Sequence, residues 1–453
     1  MFIYKICQGF LDRPGEVGDS LLFLTRGWTM KKRRASLWRR VVTLGVMLLI
    51  LSAFLWSPAS AQRTQALEEY TPRAYCAKKA IGWAVGDPVG GYGTILHTTD
   101  GGESWERQGS PGEIPNVDLN GVVAVDARKA WVVGESDGYG VILHTRDGGK
   151  TWRREGEIDD LRGVGLVAVS AVDQLTAWAV GSNGTILHTT NGGRRWERQG
   201  LGQVPTVTLQ GVYASDASHV WVVGLNEEGN LYGTIVRTID GGATWQKVPY
   251  TIDRGGEATP LISVHGATAD EVWAVGNRQI LHIAVTRKGI SVTDQTPHAL
   301  AGPYDTNGVF ALTRWNIWVV ADFSNIWRSF NGGGTWNLLN AGHHDLGFVL
   351  RISAIDWWNA WATTADQYGY SGQVLHTPDG GKSWTSQQIP VQPRMWGISF
   401  VRKKHWIFSE KGWNPFWEGY HLGECHHQPC LGPDGERPRD WGRLRENFED
   451  CLD

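Results

Sequence analysis

The sequence predicts an all-β chain closed into a single β-propeller of seven four-stranded antiparallel blades, and three observations predict it. A Gly-Gly corner ending in Trp recurs six times. An apolar strand carrying its own Trp precedes each corner. The steps between those strand Trp residues run from 43 to 52 residues, the length of one four-stranded blade.

Composition agrees with that class. Charged residues make up 20% of the chain and the formal net charge is −3, so the basic stripe that nucleic acid requires is missing. The chain holds 58 Gly and 25 Trp beside plentiful Val, Ile and Thr, which suits many short strands joined by tight turns. No long amphipathic helix pattern follows residue 62.

Taken in order, residues 1–29 read as an extension in front of the true start, because Met30 immediately precedes a basic cluster. Residues 30–61 have the three parts of an export signal. Lys31, Lys32, Arg33, Arg34, Arg39 and Arg40 are the positive region, Val41 to Trp56 the apolar run, and Ala59-Ser60-Ala61 the cleavage site. Cleavage leaves Gln62 as the new N-terminus. The run is shorter than the roughly 20 apolar residues of a spanning helix, and an uncleaved anchor over 41–56 is the alternative. Both predict an exported protein: periplasmic, lumenal or extracellular.

The propeller is assigned to residues 62–420. Its first corner is Thr98-Thr99-Asp100-Gly101-Gly102-Glu103-Ser104-Trp105, and its second is Thr145-Arg146-Asp147-Gly148-Gly149-Lys150-Thr151-Trp152. The motif returns at Asn191 to Trp196, Asp240 to Trp245, Asn331 to Trp336 and Asp379 to Trp384. Glycines there accept positive φ, and the Asp can bond the turn's own amides, so each corner staples a hairpin. The strand signature, such as Trp131-Val132-Val133-Gly134, recurs at Trp83, Trp178, Trp221, Trp273, Trp318, Trp361 and more loosely Trp406. After Trp273 the corner is lost while the strand pattern continues. Trp strands count eight units; corners plus the degenerate one count seven. Propellers usually close by mixing strands from both chain ends, so seven is favoured and eight is the alternative.

Residues 421–453 leave the pattern and form a Cys-containing tail. Cys76, Cys425, Cys430 and Cys451 are the disulfide candidates of the exported chain, with three pairings open. Cys425-His426-His427-Gln428-Pro429-Cys430 has metal-ligand residue types but no C-x-x-C spacing, so no metal is expected, nor any cofactor.

Three further sets bear on function. The acidic corner residues Asp100, Asp147, Asp240 and Asp379 have Asn191 and Asn331 in their place in two copies, which suits turn capping better than calcium or catalysis. A second column is His97, His144, His188, Arg237, His282, Arg328 and His376, one cationic or titratable side chain per blade. As a ring it would be a pH-sensitive surface for an acidic partner; packing at blade boundaries is the favoured alternative. Finally, 14 of the 25 Trp fill the two repeat positions, and the remainder include Trp315, Trp327, Trp357, Trp358, Trp396, Trp413 and Trp417, crowded into the last blades. Exposed, they would form a binding patch for protein or carbohydrate. The paired carboxylates Asp159-Asp160 and Glu227-Glu228 fall in loops, and no catalytic constellation is found.

The alternation of W-x-V-G strands with T-x-D-G-G-x-[ST]-W corners over residues of about 75 to 410 resembles the photosystem II assembly and stability factor family. That resemblance implies a non-enzymatic lumenal or periplasmic propeller that holds a reaction-centre subunit during assembly of a membrane complex. The corners also resemble those of sialidases and other propeller glycosidases, so a carbohydrate-binding or glycosidase-type propeller is the alternative. The Arg-Ile-Pro element that carries a sialidase's first arginine is absent.

Overall fold

The computed structural model describes residues 80–136, 138–155, 161–252, 257–298, 305–339 and 347–402. Among them, 28 strands form seven four-stranded antiparallel sheets. The second blade shows the plan, with β4 (Asp118–Ala124) innermost, then β5 (Ala130–Ser136), β6 (Tyr139–Thr145) and the two-residue β7 (Arg153–Arg154) at the rim. In β5 the run Ala130 to Gly134 is buried without interruption. A strand between two partners, with another blade on each face, has no solvent side, so its sequence is continuously apolar rather than alternating.

Closure decides the blade count. The last described strand, β28 (Met395–Arg402), runs antiparallel to β1 (Ala80–Val89), with Trp83 opposite Ser399 and Ala80 opposite Arg402. Strand β28 is therefore the inner strand of the first blade, whose other three strands come from the start of the propeller. Seven blades result without a strand at Trp406, which lies outside the described residues, as do 1–79 and the four cysteines Cys76, Cys425, Cys430 and Cys451. The blade without a corner keeps all four strands. There β18 (Gln279–Thr286) pairs through Leu281 to Thr286 with the whole of β19 (Gly289–Asp294), turning at Arg287-Lys288.

The apolar core is divided into seven layers, one between each pair of neighbouring blades. In six of them the strand Trp of one blade meets the corner Trp of the next: Trp83 with Trp152, Trp131 with Trp196, Trp178 with Trp245, Trp273 with Trp336, Trp318 with Trp384, and Trp361 with Trp105. The two Trp signatures of the repeat are thus the two halves of one interface. The seven strand Trp residues are all at most 1% exposed, and replacing any of them with Ala would cost about 3–5 kcal/mol.

Candidate functional site

The corner residues bond chiefly within their own turns. Thr98 Oγ1 donates to Asp100 Oδ1 (2.7 Å) and accepts from the Gly102 N–H (2.8 Å), while Asp100 accepts from the Ser104 N–H (3.0 Å) and hydroxyl. Asp147, Asp240 and Asp379 repeat the arrangement. Burial pushes the Asp100, Asp147 and Asp379 carboxyls up, but the hydrogen bonds they accept outweigh it and hold them below the usual range. The Thr244 hydroxyl and amide pull Asp240 down to about 2. The Asn copies show why an amide serves. Residue 195 is Arg, so Asn191 accepts from the Thr189 hydroxyl and the Arg195 N–H alone, whereas Asn331 accepts from the Thr335 N–H and donates Nδ2 to the Thr335 hydroxyl. These are intra-turn caps.

Each corner also serves its neighbour. The carbonyl of its first glycine accepts a bond from the preceding blade. Gln108 donates to Gly148, Arg146 to Gly192, Gln199 to Gly241, Gln295 to Gly332, Arg328 to Gly380, and the Trp361 indole to Gly101. In the blade without a corner, Ala269 O takes that place and accepts from the Trp221 indole. Sequence reading missed Gln108, Gln199 and Gln295. Gln108 and Gln199 each stand three residues after a corner Trp, a spacing that would have revealed them.

The cationic column lies inside the blades. Each member sits opposite the strand Trp of its own sheet, as in Trp83–His97, Trp221–Arg237 and Trp318–Arg328. The rings of His144, His188, His282 and His376 stack on their Trp at 3.7–4.7 Å between centroids, His97 lies tilted at 4.6 Å, and Arg237 and Arg328 lie over theirs. Burial pushes the histidines below their ordinary value, His376 to about 4. Arg328 is buried, with Nε donating to Asn316 Oδ1 and its two terminal nitrogens to Gly380 O and Trp357 O. The column packs on the strand Trp residues, and Arg328 adds bonds to the next blade.

The remaining Trp residues divide. Trp327 is buried, and Trp396 donates to Asp87. Trp315 is 52% exposed, and Trp357 stacks with Phe330, itself 47% exposed. These last three occupy turns on the corner side of the sixth and seventh blades. Trp413 and Trp417 lie outside the described residues, as does Asp159-Asp160; Glu227 pairs with Lys247.

The inner strands surround a central channel of about 250 Å³. Around it, Ser399, Ser170 and Ser353 accept through Oγ, and His265 through Nδ1, from the backbone N–H of Ala124, Ala214, Phe400 and Ala311 on the next blade. The His265 bond needs a neutral ring, and burial pushes its pKa down to about 4. Arg351 also lines the channel, with Nη1 donating to Asn307 O (2.7 Å) and Leu350 O (2.9 Å). Among the described residues no cluster of His, Cys, Asp or Glu could hold a metal ion.

Comparison with known proteins extends this reading. Residues 74–199 match the family model described as Photosynthesis system II assembly factor YCF48. No curated protein matches the sequence. A solved structure of YCF48 bound to D1 peptide is 18% identical with a TM-score of 0.50, covering 66% of this chain and 89% of its own. YCF48 from Cyanidioschyzon merolae is 19% identical with a TM-score of 0.48, covering 66% of this chain and 95% of its own. A Lactobacillus plantarum protein is 10% identical with a TM-score of 0.52, covering 72% and 99%. At these identities the first and third of these matches show a likeness of fold alone.

Proposed function

We propose that this chain is an exported, non-enzymatic protein-binding propeller that assists the assembly or stability of a membrane-protein complex. The match of residues 74–199 to the photosystem II assembly factor model carries the reading. It is supported by where the repeated polar residues go. Corner carboxylates, glutamines and the Trp-stacked cations hold turns and blade interfaces, which leaves loops and the channel to carry specificity, as on other rigid frames. The related YCF48 structure holds a D1 peptide; the corresponding partner here is a membrane-protein subunit, of reaction-centre type by the resemblance. Export through residues 30–61, as a cleaved signal or with 41–56 as an anchor, places the propeller on the side of the membrane where such a subunit exposes its loops.

Affinity capture with residues 62–453 as bait on the organism's own detergent-solubilised membranes tests this. Retention of integral-membrane subunits of one complex is the expected result. Retention of none, with binding or cleavage on a glycan panel, would replace it with the carbohydrate reading.

A further inference from the structure

Arg351 breaks the repeat. In register, the innermost strands carry Gly121, Ala168, Gly211, Ser263, Gly308 and Gly397 at the position where the seventh blade carries Arg351. The reason for small residues is steric. A Cβ at Gly308 would lie 2.9 Å from Leu350 O of the next inner strand, and one at Gly121 3.1 Å from Val167 O. Six blades close without a long side chain here, so the fold has no general need of one.

The guanidinium is isolated. It is the one charged side chain among the described residues lining the channel, since burial keeps His265 neutral. Its pKa is pushed down to about 10 by burial, with no carboxylate opposing the shift. Nearby Asp322 instead accepts from the Asn307 side chain and the Asp305 N–H. Only Nη1 makes hydrogen bonds, both to main-chain carbonyls. Arg351 is half-buried and lines the channel, and its Nε and Nη2 make no hydrogen bond among the described residues. Desolvating a cation without an anion is costly, and a forked donor pair is the geometry that receives a carboxylate.

We propose that the central channel is a binding site for a single carboxylate group, received by the free N–H groups of Arg351. The channel volume is about 250 Å³. That admits a small free acid or the last residues of a peptide, and excludes a folded domain. The two sources share one chemistry. The site stands on the channel alone, whichever partner the propeller serves.

Calorimetric titration of the exported chain with tetra-alanine, its C-terminal amide, acetate and inorganic phosphate tests the site. The free acid is expected to bind at least tenfold more tightly than the amide, and Arg351→Ser to abolish that preference. Serine stands at the same register position in Ser263, so this variant keeps the inner-strand packing. Arg351→Lys retains the charge and should retain a weakened preference. Tighter binding of the tetrapeptide than of acetate or phosphate identifies a chain terminus as the ligand; equal or tighter binding of a small anion identifies a free acid. Equal affinity for acid and amide in the unaltered protein overturns the proposal, as does an undiminished preference in Arg351→Ser or no anion binding at millimolar concentration.

Discussion

Arg328→Ala tests the most heavily bonded member of the Trp-stacked column. The guanidinium lies 4.1 Å from the Trp318 ring centroid and 4.3 Å from that of Phe330, and it bonds Asn316 Oδ1, Trp357 O and Gly380 O. The last two acceptors belong to the next blade, so one side chain joins the sixth and seventh blades. Hydrogen bonds from a charged donor contribute about 1.5–3 kcal/mol each, but the desolvation that pushes this pKa down to about 9 offsets a good part of the total. Truncation leaves two main-chain carbonyls and an amide oxygen without that donor, together with a cavity beside Trp318. The expected loss is about 3–5 kcal/mol, the range for breaking one partner of a buried network. Arg328→His should cost roughly half as much, because five other blades carry His on Trp, and imidazole keeps the stacking but cannot span all three acceptors. Urea unfolding followed by Trp fluorescence, extrapolated linearly to water, measures both. A loss below about 1 kcal/mol for the Ala variant would refute the inter-blade role. So would a His variant as damaged as the Ala one.

Asp147→Asn should stay within about 0.5 kcal/mol, since Asn331 caps the equivalent corner with a Thr four residues on, whereas Asp147→Ala should lose about 1–2 kcal/mol in the same assay. Gln199→Leu should lose about 1–2 kcal/mol by leaving Gly241 O without its donor, provided the leucine packs. Acid should weaken the fold in two stages. Six histidines (His97, His144, His188, His265, His282 and His376) have folded pKa values below 6.5, so the folded state binds fewer protons than the unfolded. Their contribution is complete above about pH 6.5 and lost as pH falls toward 4, and the depressed corner carboxylates give up theirs only below about pH 4. Unfolding midpoints that do not move between pH 7 and 4.5 would contradict this. Truncation before Met395 removes the inner strand of the first blade, and the near-ultraviolet circular dichroism of the packed Trp residues should collapse with it.

The sequence made the repeat legible because the physical demands on a blade are local. A hairpin corner needs glycines at positive φ and a side-chain cap, and both are written within eight residues, as in Thr98 to Trp105. The ambiguity between seven and eight blades came from a non-local feature, the pairing of residues 80–86 with 395–402. No local pattern announces that a strand will complete a sheet begun more than 300 residues earlier. The column at His97 to His376 was legible as a column, but sequence does not say which way a side chain faces. Its members stack on Trp rather than face solvent because the residue directly across the pair, such as Trp131 for His144, leaves that face apolar. Gln108 and Gln199 went unseen for a different reason: their acceptors are carbonyls of the next blade, some 40 residues on.

A propeller has two kinds of polar residue, and the structure separates them by periodicity. Those that recur in step with the blade are engaged by the blade: Asp147 caps its own corner, Gln108 reaches Gly148, and His144 lies flat on Trp131. Sevenfold repetition is a requirement of the ring, and a ligand has no such symmetry. Recognition is therefore to be sought where the repeat is broken. Arg351 stands where every other inner strand has Gly, Ala or Ser. Trp315, Phe330 and Trp357 likewise bring aromatic rings to turns where the second blade has Arg128, Arg146 and Ala127. Both departures fall in the last two blades, outside the matched segment 74–199. Under the proposed function, the contacts that select a partner are best looked for there.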